Sequence, residues 1–144
     1  MASIYNLHNA YMICAEAISK LSYAKKKQVG AVIVKNNHII SEGYNGTPQG
    51  FSNDCEEDVN GKLFTRREVL HAESNAIAKL AKSHNSSDES TIYCTYSPCF
   101  DCAKLIIQAG IKQVIYLELN DHGDSSYTLN FLSSCGVRTA HLVR

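Results

Sequence analysis

Ile4, Leu7, Tyr11, Cys14, Ile18 and Leu21 recur at alternating intervals of three and four residues, which is one face of a helix, and Ser3 ahead of them suits an N-cap. Val29 to Val34 is a short apolar, β-branched run, and His38 to Ser41 resumes it after Asn36-Asn37. Asparagine tolerates positive φ, so the pair predicts a hairpin with His38 in solvent. Gly43 to Gly50 then holds three glycines, a proline and an asparagine in eight residues, and irregular chain is expected from there to about Phe64. That is long for a plain connector and makes a binding role worth considering.

Beyond it, helix and strand patterns alternate. A helix is expected from about His71, with Ala72, Ala76, Ile77, Leu80 and Ala81 apolar, until the polar Ser83–Ser90 stretch. Thr91–Thr95 reads as a strand. Pro98 is placed to open a helix that runs to Ala109 and stops at Gly110. Gln113–Leu119 is a strand, Asp121–Asp124 a loop, Tyr127 to Gly136 a helix and Val137–Val143 a last strand. The order α-β-β-α-β-α-β-α-β predicts an α/β fold with a sheet covered on both faces and parallel neighbours in its later part. No repeat or linker interrupts the chain, so residues 1–144 are expected to form a single domain.

Composition narrows the function. Apolar residues make up 44 % and charged residues 19 %, as in globular proteins. Fourteen basic side chains balance fourteen acidic ones. A neutral chain is not what a nucleic-acid coat or membrane-surface protein needs, but it leaves room for a small anionic ligand held by a few local charges. No apolar run reaches the length of a membrane span, and the first residues lack a signal-peptide pattern. A reducing, cytoplasmic setting is therefore expected, with Cys14, Cys55, Cys94, Cys99, Cys102 and Cys135 as thiols or metal ligands. Cys14, Cys94 and Cys135 read as core, and His84, His122 and His141 as surface residues without partners.

Two segments carry chemistry: His71-Ala72-Glu73 at the start of one helix and Pro98-Cys99-Phe100-Asp101-Cys102 at the start of the next. Cys99 and Cys102, three apart, face one side of a helix, where the N-terminal field favours thiolates. One imidazole and two thiolates suit zinc and leave a fourth position for water. Glu73, a carboxylate beside such a water, can take its proton and pass it on. H-x-E followed by P-C-x-x-C is the signature of zinc-dependent nucleobase deaminases. A non-catalytic, zinc-stabilised nucleotide-binding module would need the three ligands but not Glu73.

The sequence resembles the deoxycytidylate deaminases of the cytidine deaminase superfamily. The resemblance runs over residues 22–117 and rests on Val29–Ile33 with Gly43-Tyr44-Asn45-Gly46-Thr47-Pro48-Gln49-Gly50, on His71–Ile77 and on Ser97–Lys104 with Gly110–Lys112. It implies a three-layer α/β/α fold around a mixed five-stranded sheet. It implies hydrolytic deamination of dCMP to dUMP and ammonia, feeding thymidylate synthesis, with zinc on His71, Cys99 and Cys102 and Glu73 as proton shuttle. Asn45 matches the residue that hydrogen-bonds the substrate sugar, and Ser22 and Lys26 fall where the family places groups near the 5′-phosphate. Ala72 and Ser97 are further expected substrate contacts. Tyr127 is a candidate to close over the base or sugar, the alternative being packing on its helix. The resemblance also implies a homo-oligomer, usually a hexamer, activated by dCTP and inhibited by dTTP. Both would bind with Mg2+ at a separate site that includes Gly46, Thr47 and Gly50. Deamination of dCTP as well as dCMP, or of cytidine or guanine, stays open at this point. Cys55 is expected to be a plain thiol, the alternative being a ligand of a second, structural zinc.

Overall fold

The computed structural model describes residues 1–144. Its elements are α1 (Ile4–Ser19), β1 (Gly30–Lys35), β2 (His38–Tyr44), β3 (Glu56–Val59), β4 (Lys62–Thr65), α2 (Ala72–Leu80), β5 (Thr91–Tyr96), α3 (Phe100–Gln108), β6 (Gln113–Glu118), α4 (Ser125–Ser134) and β7 (Arg138–His141). Five strands form one sheet in the order β2-β1-β5-β6-β7. β1 is antiparallel to both of its neighbours, while β5, β6 and β7 run parallel. The expected mixed sheet with parallel later strands is thus present.

Alternation along the strands divides the core in two. Ala31, Ile33, Ile92, Cys94 and Val114 face α2, α3 and α4, packing with Ala76, Ala103, Ile106 and Leu132. Val32, Val34, Tyr93 and Ile115 face the other way, onto Met12 and Ala15 of α1. No helix is long and apolar enough to cross a membrane.

Local signals explain most boundaries. The Ser3 hydroxyl accepts the Asn6 N–H at 3.1 Å and caps α1. Asn36 and Asn37 both have positive φ, 51° and 61°, which makes the tight turn between β1 and β2. The face of α1 is rotated from the expected one: Met12, Ala15 and Ser19 are buried, while Ile4 and Leu21 are exposed. Small side chains decide this. A Cβ on Gly30 would lie 2.1 Å from the Ala15 carbonyl oxygen, so helix and strand touch backbone to backbone there. Pro98 precedes α3 instead of opening it, because the Cys99 side chain takes the N-cap position. Cys94 is core as expected, Cys14 is partly buried, and Cys135 is exposed at the end of α4.

The segment expected to be irregular up to Phe64 contains a second, two-stranded sheet, β3 paired with β4. Its turn is Asn60-Gly61, with φ 53° and 82°. The strands Glu56–Val59 and Lys62–Thr65 are mostly exposed, so no apolar alternation announces them.

Gly43 on β2 lets α2 sit directly on the sheet. A Cβ there would lie 2.4 Å from the Ala72 carbonyl oxygen and 2.5 Å from the Ala76 nitrogen. Neither backbone atom can yield without moving α2. Gly43→Ala is expected to cost about 1–3 kcal/mol, the usual range for overpacking. Urea denaturation checks this, and an unchanged midpoint would mean that α2 can retreat freely.

Candidate metal centre and active site

The N-termini of α2 and α3 meet beside the end of the sheet where β5 and β6 finish, the usual place for a ligand in an α/β sheet. His71 is the residue before α2, in extended conformation, and its imidazole makes no capping bond. The ring is therefore free to reach across. Its Nδ1 lies 3.3 Å from Cys99 Sγ and 3.4 Å from Cys102 Sγ. The three ligand atoms lie within 4.8 Å of one another. A tetrahedral zinc with ordinary Zn–N and Zn–S lengths separates such atoms by about 3.6–3.8 Å, so the donors fit the ion. No other cluster of this kind occurs in the molecule, and Cys55 has no partner ligands.

The two thiols share one proton: Cys102 keeps it, pushed well up by its hydrogen bond to Cys99 and by burial, while Cys99 gives its own up. Cys99 is held down to about 4 by hydrogen bonds from the Cys102 thiol, from His71 and from the Cys102 backbone N–H. The hydrogen bond to Cys99 in turn raises His71.

Glu73, in the first turn of α2, is 4 % exposed. Burial pushes its carboxyl up to about 7, opposed by hydrogen bonds from its own backbone N–H and from the Cys102 thiol, and by His71. A buried carboxyl touching the ligand set is suited to holding a proton and giving it up. A divalent ion on the neighbouring ligands would favour its ionised form.

A cavity of about 320 Å³ opens in front of this group. His71, Ala72, Glu73, Ser97 and Cys99 line its metal end, and Asn45 and Lys26 line it further out. The N–H of Ala72 belongs to the first turn of α2, where helical partners are lacking. The Asn45 amide is half used: Nδ2 donates to the Lys27 carbonyl at 2.8 Å and Oδ1 accepts from Val29 N–H at 2.9 Å. One donor hydrogen and one acceptor lone pair are left for a ligand. Ser97 is buried, its hydroxyl oxygen accepts the Asn120 N–H at 2.9 Å, and its own hydroxyl hydrogen is uncommitted.

Three groups of expected residues sit elsewhere. Ser22 is buried behind the wall, where its hydroxyl donates to the Asn45 carbonyl at 2.7 Å, so it shapes the cavity without lining it. Tyr127 does not line the cavity: it is exposed on α4 with its ring 5.8 Å from that of Phe100. Gly46, Thr47 and Gly50 line a second groove of about 570 Å³, with Asn53, Lys79 and Lys82 among its other residues.

The cavity also contains residues that the sequence patterns did not single out: Lys27, Glu56, Tyr96, Asn120, Asp121 and His122. The Lys27 ammonium stands 4.4 Å above the Tyr96 ring and 3.1 Å from an Asp121 oxygen. Asn120–His122 come just after β6, beyond Leu119, so parallel topology brings them to the site. His122 is exposed, as expected, and its side chain borders the cavity.

The family model of the cytidine and deoxycytidylate deaminase zinc-binding region matches residues 5–118. The chain belongs to this family. The human deoxycytidylate deaminase is 40 % identical over 125 residues, which cover 82 % of this chain and 68 % of that protein. The deoxycytidylate deaminase of Schizosaccharomyces pombe is 34 % identical over 137 residues, 89 % of this chain but only 41 % of that longer protein. The crystal structure of dCMP deaminase from cyanophage S-TIM5, in complex with dCMP and dUMP, superposes with a TM-score of 0.86 at 43 % identity, covering 96 % of this chain and 98 % of that one. The family region includes the ligand triad, Glu73 and Asn45, while the Asn120–His122 side of the deaminase cavity falls after it.

Proposed function

We propose that this chain is a zinc-dependent deaminase that converts dCMP and water to dUMP and ammonia. The observation that carries the reading is the buried Glu73 carboxyl, set between a zinc-type ligand triad and a cavity of nucleotide size. A structural zinc site would have no use for a buried acid there.

His71, Cys99 and Cys102 would hold the ion, which supplies a Lewis acid that makes water nucleophilic near neutral pH. Glu73 takes a proton from the attacking water and delivers it to the ring nitrogen beside the reacting carbon. It then takes the proton of the hydroxyl now on the reacting carbon and passes it to the amine, so that the carbonyl forms as the C–N bond breaks and ammonia leaves. Asn45 orients the sugar with its remaining donor and acceptor, and the Ala72 N–H and Ser97 hydroxyl face the base. The basic side chains at the outer end, Lys26 with Lys27, suit a 5′-phosphate. Tyr127, out on α4, would reach substrate only by moving.

The second groove, bordered by Gly46, Thr47, Gly50, Lys79 and Lys82, suits a triphosphate effector with Mg2+: dCTP as activator, dTTP as inhibitor. Exposed apolar side chains such as Ile13, Leu21 and Leu105 favour a homo-oligomer, in the family's usual form a hexamer. Residues 1–144 act as one deaminase domain, and six unpaired cysteines suit the cytoplasm.

The zinc-loaded protein assayed with dCMP, dCTP, CMP, deoxycytidine and guanine should give its highest kcat/KM with dCMP. Added dCTP or dTTP with Mg2+ should change the dCMP saturation curve. Faster conversion of deoxycytidine than of dCMP would remove the phosphate from the reading.

A further inference from the structure

Ala24, Lys26 and Lys27 line the outer wall of the cavity, and the segment that carries them belongs to no helix or strand. Something must hold it. One carboxylate oxygen of Glu56 accepts two consecutive backbone N–H groups, those of Lys25 at 3.0 Å and Lys26 at 3.2 Å. The next carbonyl along, that of Lys27, accepts the Asn45 amide at 2.8 Å. The segment is thus pinned at both ends, and the amide that pins the second end is itself expected to touch substrate.

Glu56 has its own anchor. It is the first residue of β3 and pairs with Thr65 of β4. Cys55 before it is 2 % exposed, and its carbonyl accepts the Arg66 N–H at 2.8 Å. The carboxylate is therefore delivered to the wall from a braced hairpin. It forms no ion pair with a side chain, although the two residues it contacts are lysines. Its contact with the segment is through backbone groups, which leaves the Lys26 ammonium free for an anion.

We infer that Glu56 is a positioning residue for the deamination: by bracketing the Lys25 and Lys26 amides it fixes the wall that receives the anionic end of the substrate. This rests on the proposed dCMP reading. It makes Glu56 act through geometry, although its negative charge near an anion would by itself oppose binding.

Geometry and charge make opposite predictions for two conservative variants. Glu56→Gln keeps a carbonyl oxygen in place and loses the charge. Glu56→Asp keeps the charge and withdraws the oxygen by about 1.5 Å, one carbon–carbon bond. Glu56→Asp and Glu56→Ala should raise KM for dCMP about tenfold, the scale of one misplaced charge-assisted contact. Their kcat should stay within about threefold of the parent, because the reacting end is untouched. Glu56→Gln should keep KM within about threefold. The inhibition constant of dUMP should follow KM across the three variants, while that of deoxyuridine, which lacks the phosphate, should not move. Unchanged KM in Glu56→Asp, tighter dCMP binding in Glu56→Gln, or an equal loss for deoxyuridine would each overturn the assignment. Should Glu56→Ala fail to fold, the Gln and Asp pair still decides. A parent protein that does not turn over dCMP would instead remove the functional reading beneath it.

Discussion

Glu73→Gln is expected to bind zinc and dCMP and to lose turnover. The amide fills the same buried space at the start of α2, so the ligand triad beside it should persist. What disappears is the only buried carboxyl in the cavity that can accept a proton from water and release it to the base. General acid–base groups contribute about 10²–10⁴-fold, and Glu73 serves more than one transfer, so kcat should fall by at least about 10²-fold. KM should change little. Single-turnover kinetics together with a dCMP binding isotherm check both halves. A fully active variant would contradict the mechanism, and a variant without zinc would make Glu73 a structural support of the triad.

Cys102→Ala should remove the metal and the activity together. Cys102 is 3 % exposed and its Sγ lies 3.4 Å from His71 Nδ1. Loss of a group that merely orients a ligand already costs about 10–100-fold in metal affinity, so loss of a ligand should cost more. Zinc measured by elemental analysis should fall from one per chain to near none, with dCMP turnover lost in parallel. Cys94→Ala is the control. Cys94 is equally buried, but it packs in the core under the site and belongs to no ligand cluster. It should cost stability while leaving zinc and kcat in place. If both variants kept their zinc, the assignment of the triad would fail.

Much of this was legible in the residues themselves, for identifiable reasons. The metal triad is announced by the spacing of Cys99 and Cys102 and by helix starts with local signatures, so no long-range information is needed to bring the thiols together. His71 and Glu73 also lie within one turn. The fold could be read because β5 and β6 are largely apolar, buried runs separated by a helix. The β3–β4 hairpin could not, because its short strands are mostly exposed and carry no apolar alternation; only Asn60-Gly61 betrayed it. Glu56 was hidden with it, since its role depends on a hydrogen bond to residues thirty positions earlier. Asn120, Asp121 and His122 carry no motif, and their place in the cavity follows from the parallel pairing of β5 and β6. For Tyr127 the residues offered both closure over the substrate and packing on its helix, and its ring rests by Phe100.

The most direct test of the central claim is to strip the protein with a chelator and titrate zinc back while following dUMP formation from dCMP. Turnover should rise in proportion to added zinc and level off at one ion per chain. dCMP deamination that is complete without zinc, or that does not return when one zinc per chain has bound, would contradict it.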